Sequence, residues 1–379
     1  MLEFVALEKM LQTGKAGRNI SRRQWLARCV SGGAMATGFM TLPGCGPGES
    51  STDQKLTNVS YDPTREFYEE YNVAFAQYWY TERGESVGIR MSHGGSGRQS
   101  RAVMDGLPAD VVSLALALDI DMIAERTGLI ATDWRTRFPH NASPYQSTIV
   151  FIVRRGNPKG IHDWEDLVRN DIQVITPHPK TSGAARYNFL AAWGYILKRE
   201  LGDFTRLAMP DAPEVIAAEA AAENFLRRMY QNVPVLDSGA RGSTMMFVRN
   251  RVGDVLLNWE NEAFLAMQEA GGDELEMIVP KLSVLAEPPV AVVDSVAKKR
   301  GTTKLAHAYL EHLYSPEGQT LAAKHFYRPS WPDVVDPSLL KGFATPEMFS
   351  VDEVFGGWQK AQERFFNDHG IFDRIFQPK

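Results

Sequence analysis

Apolar and polar residues alternate along this chain with spacings that predict helices and strands in turn. An amphipathic helix is predicted by four aromatic residues at helical spacing: Phe67, Tyr71, Phe75 and Tyr78. The segment "SVGIRMSHGGSGRQSRAVMDG" predicts a strand, a Gly-rich turn and a helix, and "ADVVSLALALDIDMIAERTG" predicts a buried strand that leads into a helix. Such repeats predict an α/β fold with largely parallel sheets, which bind ligands at the carboxyl ends of their strands.

The second half of the chain repeats this organisation and predicts a second lobe. "YQSTIVFIVRRGNP" is a long β-rich segment, and helical patterns dominate residues 303–365. We predict strands that cross between the lobes at residues 147–153 and about 284–292. Lobe I is predicted to comprise residues 56–146 and 285–379, and lobe II residues 147–284.

The first 44 residues differ from the rest and predict an export signal. Arg22, Arg23 and Arg28 precede a segment without charge that runs from Cys29 to Cys45. This apolar segment is shorter and weaker than the roughly 20 strongly apolar residues that span a bilayer. "SRRQWL" resembles a twin-arginine export signal, and "LPGC" resembles a lipobox that ends in a lipid-modified Cys45. Residues 45–55 are predicted to form a polar tether.

Cysteine content and net charge limit the classes of function that the chain can have. The chain of 379 residues has two cysteines, so a mature protein that starts at Cys45 has no second thiol for an internal disulfide. The net charge is −5, and residues 1–44 contribute +4 (six Lys and Arg against two Asp and Glu), which leaves −9 for the remainder. An acidic protein is not expected to bind nucleic acid. If it binds an anion, local dipoles rather than long-range attraction must hold it.

Motifs typical of catalysis are incomplete. Ser96 lies in "GGSGR", where Arg98 replaces the final Gly of a nucleophile elbow. The sequence contains no Walker A motif, no complete G-x-G-x-x-G fingerprint and no zinc-type spacing of His and Cys. We therefore expect no enzyme activity, no cofactor and no metal.

The start of the helix in "PKTSGAARYNFLAAWGY" permits two interpretations. Thr181, Ser182 and Gly183 are good cap residues, and a plain cap is the simpler explanation. A helix N-terminus also leaves backbone N–H groups unpaired at the positive end of its dipole, where an anion can bind. Small residues follow other strands at Asp62, Ser96 and Ala240, each of which by itself is an ordinary turn. Trp259 by itself is more readily a core residue.

Ten segments, among them "NVSYDPTREFYEEYN", "SHGGSGRQ", "VITPHPKTSGAARYNFLAAWGY", "VLDSGARGSTMMFV" and "GDVLLNWENEA", resemble the sulfate-binding proteins of ABC-type sulfate/thiosulfate importers. The resemblance covers residues 56–373. It implies a two-lobed, periplasmic-binding-protein-like (type II) fold with a hinge, which buries a dianion in the cleft between the lobes. The donors it implies are five backbone N–H groups, one hydroxyl and one indole: Asp62, Ser96, Gly183, Ala184 and Ala240, Ser182, and Trp259.

The chain departs from this family at several positions. Ala184 stands where the family has Gly, Tyr187 where it has Trp, and His178 where it has Asn, while the segment 207–215 is longer. Ala tolerates fewer backbone angles than Gly, so Ala184 is expected to alter the pocket slightly. Two nearby arginines, Arg186 and Arg241, are expected to lie behind the donors rather than on the anion.

The resemblance implies an extracytoplasmic, lipid-anchored, monomeric solute-binding protein. Its partners would be sulfate or thiosulfate and the membrane subunits of an ABC permease. Sulfate at neutral pH only accepts hydrogen bonds, whereas phosphate carries a proton that needs an acceptor, so a site built of donors suits sulfate. Two alternatives from other classes are an extracytoplasmic hydrolase and an anion sensor subunit on the same scaffold.

Overall fold

The computed structural model describes residues 54–269 and 274–376. The predicted export signal 1–44, the lipidation site Cys45 and the tether as far as residue 53 lie outside this part. The last two residues predicted as tether, Gln54 and Lys55, instead begin the first strand, because they pair with Val87 and Gly88. No helix within the described ranges is long and apolar enough to cross a membrane.

Thirteen strands and fifteen helices make up the described fold. The strands are β1 (Gln54–Tyr61), β2 (Val87–Gly94), β3 (Val111–Ser113), β4 (Tyr145–Gln146), β5 (Ile149–Arg154), β6 (Val174–Pro177), β7 (Leu236–Asp237), β8 (Val255–Trp259), β9 (Leu275–Ile278), β10 (Leu282–Val284), β11 (Val290–Val292), β12 (Arg328–Pro329) and β13 (Glu347–Phe349). The helices are α1 (Arg65–Arg83), α2 (Ser96–Met104), α3 (Ala117–Thr127), α4 (Pro139–Ala142, one turn with left-handed backbone at two residues), α5 (Gly183–Leu201), α6 (Pro213–Gln231), α7 (Ala240–Val248), α8 (Glu260–Glu269), α9 (Asp294–Arg300), α10 (Thr303–His312), α11 (Pro316–Lys324), α12 (Pro337–Leu340), α13 (Val351–Phe355), α14 (Trp358–Ala361) and α15 (Ile371–Ile375). Short 3₁₀ turns lie at Asp62–Thr64, Trp134–Thr136, Trp164–Val168, Phe204–Ala208 and Pro332–Val334, and a π-helical turn lies at Gln362–Phe366.

Two mixed sheets form the centres of the two lobes. The first has the order β11-β3-β1-β2, with β11 antiparallel to β3 and the others parallel. The second has the order β7-β6-β8-β5-β9, with β5 antiparallel to both of its neighbours. The predicted α/β class is therefore confirmed, although neither sheet is wholly parallel. Both buried strands β5 and β8 consist almost entirely of apolar residues, as strands covered on both faces do.

Two of the segments in which the described chain passes between the lobes lie side by side, and a third precedes β13, which pairs with β10. Ser147, just before β5, and Ala286, just before β11, exchange backbone hydrogen bonds of 2.9 Å in both directions. A pair of crossings held side by side permits the sheets to rotate about it, so we place the hinge here.

The C-terminal helices pack on the second sheet rather than the first. Phe365 contacts Phe189 and Trp193 of α5, with ring centroids 5.5 and 4.8 Å apart, and Phe372 contacts Tyr230 of α6 at 5.4 Å. The sequence predicts the whole of 285–379 in lobe I, and these contacts show that Phe365 and Phe372 pack on helices beside the second sheet. The apolar pattern shows that these helices bury one face, but not which sheet receives it.

An arginine at the start of α7 joins the two lobes. The Arg241 guanidinium lies 3.0 Å from both carboxylate oxygens of Glu66 on α1 and 3.3 Å from Glu262 on α8. Glu262 is fully buried, and burial raises the pKa of its carboxyl to about 7, although Arg241 opposes that rise. The link between the lobes, formed by Glu66, Arg241 and Glu262, therefore contains one carboxyl, that of Glu262, whose pKa lies near neutral pH.

Gly194→Ala tests the packing of β13 against α5. A Cβ at Gly194 would overlap the ring of Phe349, which is fully buried and cannot swing away. Overpacking costs about 1–3 kcal/mol, which exceeds the roughly 1 kcal/mol that Ala contributes over Gly in a helix. We expect the free energy of unfolding in urea to fall by up to about 2 kcal/mol. Gly88→Ala, whose Cβ would meet nothing closer than 4.0 Å, should leave it unchanged or slightly higher, and equal stability of the two variants would contradict this packing.

Glu262→Gln tests the titration of the link between the lobes. A folded-state pKa raised from its ordinary 4.5 to about 7 gives a contribution to stability that is complete below pH 4.5 and is lost as the pH rises through 7. We therefore compare the free energies of unfolding of the parent and of Glu262→Gln. The parent should lose up to about 3 kcal/mol relative to the variant as the pH rises from 4.5 to 8. Urea unfolding over this range measures it. Glu269→Gln, an exposed neighbour of Arg241, is the control, and parallel pH curves for parent and Glu262→Gln would contradict the assignment.

Candidate functional site

A small buried cavity of about 20 Å³ lies at the carboxyl ends of strands from both sheets. Pockets for organic ligands measure about 300–1,000 Å³, so this cavity suits a very small ligand. All seven residues predicted as sulfate donors line it: Asp62, Ser96, Ser182, Gly183, Ala184, Ala240 and Trp259. The structure thus brings the seven together, while their contact with sulfate stays a prediction.

Four helical N-termini point their first residues at this cavity. A 3₁₀ turn begins at Asp62, and α2, α5 and α7 begin at Ser96, Gly183 and Ala240. An N–H in the first turn has no acceptor within its own helix. The backbone N–H groups of Asp62, Ser96, Gly183, Ala184 and Ala240 also have no acceptor elsewhere among the described residues. Each N-terminus also carries roughly half a positive charge from its helix dipole, so the cavity favours a negative charge.

Ser182 caps α5 and leaves its own proton free. Its extended backbone places the Oγ atom 3.5 Å from the Ala185 N–H, which donates to it. A hydroxyl that accepts from the backbone can still donate its hydrogen to a second group. The cap interpretation is therefore confirmed, and it is compatible with anion binding by the same residue.

Trp259 ends β8 and presents its indole to the cavity. The ring is 1% exposed and packs against Tyr187 and Tyr61 at centroid distances of 5.0 and 5.9 Å. Three other buried indoles donate to protein acceptors at 2.8–3.0 Å: those of Trp134, Trp164 and Trp193. Among the residues that the structure describes, the Trp259 N–H has no such acceptor. A buried indole N–H normally finds a partner, so this donor is available to a ligand.

The hydroxyl of Ser96 is committed elsewhere. It donates to Asp119 at 2.5 Å and accepts from the Ala115 N–H at 3.0 Å, which leaves only the backbone N–H of Ser96 for the cavity. Burial raises the pKa of the Asp119 carboxyl, and the Arg186 guanidinium, 3.8 Å away, opposes that rise. Arg186 also donates to the carbonyl of Pro179 at 2.9 Å.

No cationic side chain lines the cavity in the described structure. Arg186 and Arg241 do not line the cavity, as the sequence predicted, and the structure shows that each pairs with a carboxylate. The one carboxylate on the wall, that of Asp62, is bound by Arg65 at 3.1 Å. Within residues 54–269 and 274–376, no group of three or more His, Cys, Asp or Glu is placed to hold a metal. The site therefore offers neutral hydrogen-bond donors and helix dipoles.

Gly183 and Ala184, two small residues of the cavity wall, have different steric requirements. A Cβ at Gly183 would lie 2.8 Å from the Ala115 Cβ, so only glycine fits where α5 meets the loop after β3. Ala184 needs no such freedom, because its first-turn position is ordinary helix. Sequence analysis did not single out the other lining residues: Tyr61, Pro63, Gly94, Gly95, Ala115 and Gly239. Four of these directly adjoin predicted donors and Gly94 lies two residues from Ser96, whereas Ala115 gave no sequence signal at all.

Comparisons with known proteins agree with this architecture. Residues 56–328 match the family model described as bacterial extracellular solute-binding protein. The sulfate-binding protein of Escherichia coli (strain K12) is 53% identical over 85% of this chain and 93% of its own length. The thiosulfate-binding protein of Pseudomonas aeruginosa is 46% identical over 87% of this chain and 95% of its own.

A solved structure shows the same fold. The sulfate-binding protein SubI from Mycobacterium tuberculosis H37Rv superposes with a TM-score of 0.69 at 29% identity, over 83% of this chain and 100% of SubI. The predicted two-lobed type II fold is thereby confirmed. Since the family model covers well over half of the chain and close relatives match nearly its whole described length, the chain belongs to the bacterial extracellular solute-binding proteins of ABC importers.

Proposed function

We propose that this protein binds sulfate or thiosulfate in the cavity between its lobes, outside the cytoplasm, and delivers it to an ABC permease. The observation that carries the proposal is the cavity itself, where five backbone N–H groups, one hydroxyl and one indole meet without a cation. Relatives named for sulfate and thiosulfate, up to 53% identical, support the same ligand class. A binding protein of this kind needs no catalytic group, and we propose no enzyme activity.

The donor set favours a fully deprotonated dianion. Sulfate accepts hydrogen bonds at all four oxygens, so every donor of the cavity has a use. Hydrogen phosphate would bring a proton into a site whose single carboxylate is already bound by Arg65, and an unsatisfied buried polar group costs about 1–3 kcal/mol. Calorimetric titration with sulfate, thiosulfate, molybdate and phosphate should therefore show sulfate or thiosulfate binding and phosphate weaker by at least about fivefold. Equal affinity for phosphate would contradict the proposal.

Trp259→Phe tests the indole donor. Phenylalanine keeps most of the apolar contact with Tyr187 and Tyr61 but cannot donate a hydrogen bond. A hydrogen bond to a charged group is worth about 1.5–3 kcal/mol, so sulfate affinity should fall roughly 10- to 150-fold. The stability of the ligand-free protein should change little, since the indole N–H has no protein acceptor in the described structure.

Ser182→Ala is the matched comparison for Trp259→Phe. It removes a proposed sulfate donor and also the observed cap of α5, so it should weaken sulfate binding to a similar degree and lower the free energy of unfolding by about 1 kcal/mol. The two effects are measured separately by titration and urea unfolding. If both variants bind sulfate within about threefold of the parent, less than about 0.7 kcal/mol, the two donors are wrongly assigned.

We further propose that the protein is exported through the twin-arginine route and anchored by a lipid on Cys45. Arg22 and Arg23 followed by an uncharged segment support export, and "LPGC" supports lipidation. The proposed partner permease and the monomeric state rest on the family of importers to which the chain belongs. The high identity to sulfate- and thiosulfate-binding proteins favours solute binding over the sensor and hydrolase alternatives.

Cys45→Ala tests the lipid anchor. Without the thiol no lipid can be attached, so the variant should move from the membrane fraction to the soluble fraction after cell disruption, detected on a fractionation blot. Cys29→Ala, which alters the other cysteine of the chain, is the control and should stay with the membrane. Unchanged membrane retention of Cys45→Ala would refute the anchor.

A further inference from the structure

Helix α2 carries two arginines that pair with no carboxylate of residues 54–269 or 274–376. Arg98 and Arg101 are exposed and have no hydrogen bond or ion pair with any other described residue. Other arginines around the same cleft each bind a carboxylate, at 3.1, 3.8 and 3.0 Å: Arg65, Arg186 and Arg241. Within the described part of the fold neither Arg98 nor Arg101 therefore has a carboxylate at hydrogen-bond or ion-pair distance, although the charge of Arg101 helps to lower the pKa of the buried Asp119 carboxyl.

These two arginines line a second cavity, of about 330 Å³. We call it the outer chamber, and its walls are Asp62, Gly95, Arg98, Arg101, Thr181, Ser238 and Gly239. Three of these residues, Asp62, Gly95 and Gly239, also line the small cavity that holds the proposed sulfate donors. The outer chamber therefore adjoins the inner cavity directly.

The outer chamber has a net positive charge, in contrast to the chain as a whole. Arg98 and Arg101 are three residues apart on one helix, a spacing that puts both side chains on the same face. Two like charges at this spacing repel each other by a few tenths of a kcal/mol, and a bound anion would relieve that repulsion. The chamber's one carboxylate, Asp62, is bound by Arg65, so it does not offset them. The chain as a whole carries −5.

We propose that Arg98 and Arg101 form an outer docking site, at which a sulfate-type dianion is held before it passes to the inner donors; this rests on the proposed function. Both arginines belong to α2, beside the first sheet, whereas Thr181, Ser238 and Gly239 complete the chamber from the second sheet. The inner donors are neutral groups and attract an anion only at short range. The charges of Arg98 and Arg101 supply the longer-range attraction that the neutral inner donors lack.

The test is the rate of sulfate association, followed by stopped-flow tryptophan fluorescence of the purified protein. Arg98→Gln/Arg101→Gln is compared with Arg126→Gln/Arg206→Gln, which removes two exposed arginines from outside both cavities and thus changes net charge equally. At about 10 mM ionic strength the first variant should associate about three- to tenfold more slowly than the parent. At 1 M salt, where the Debye length falls from about 30 Å to about 3 Å, the two rates should converge. The control variant should stay within twofold of the parent at both salt concentrations.

Two results would overturn the outer docking site. One is an association rate for Arg98→Gln/Arg101→Gln equal to that of the control variant at low salt, and the other is a deficit that persists at 1 M salt. Failure of the proposed function is a different observation, because the parent itself would then show no sulfate binding in an equilibrium titration.

Discussion

The structure depends on one constraint: backbone N–H groups at helix N-termini need acceptors, and here several of them share a buried space that supplies none. The first turns of α2, α5 and α7 meet at the cavity with the Asp62 turn and the Trp259 indole. Each unsatisfied buried donor costs about 1–3 kcal/mol. A dianion that accepts from all of them at once is therefore stabilised without an opposite charge, and the same donors disfavour a ligand that must itself donate.

The proposed donors come from both sheets, so the proposed site is complete only where the two sheets meet. Asp62 and Ser96 follow strands of the first sheet, whereas Ser182, Ala240 and Trp259 follow strands of the second. In the structure all of them line one cavity. The ion pairs from Arg186 to Asp119 and from Arg241 to Glu66 span the same cleft. They neutralise the two arginines behind the proposed donors, so the cavity itself offers hydrogen-bond donors rather than a free cation.

Charge is thus distributed in two ways in this protein. Inside the cleft, each arginine close to the donors is paired with a carboxylate and lies off the wall. On the outer face of α2, Arg98 and Arg101 have no such partner among the described residues. Neutral donors discriminate between anions at contact distance, and free cations act over a Debye length, so the two arrangements are suited to selectivity and to the rate of capture, respectively.

The sequence by itself determined the fold class and marked most of the proposed donor positions. Strand–turn–helix patterning predicted the α/β class, and the small residues after strands marked Asp62, Ser96, Ser182 and Ala240, because caps and turns are specified by local chemistry. The resemblance to sulfate-binding proteins added Trp259 and the choice of ligand, which composition and spacing left open.

Only the tertiary structure decided which distant residues meet. It assigned the helices after Phe349 to α5 and α6, since an apolar face does not specify its partner. It showed that Ala115 forces glycine at position 183, and that the Ser96 hydroxyl is bound by Asp119 and is unavailable to a ligand. It also placed Arg98 and Arg101 beside the donors. Each of these contacts joins segments far apart in the chain, where local periodicity and capping signals carry no information.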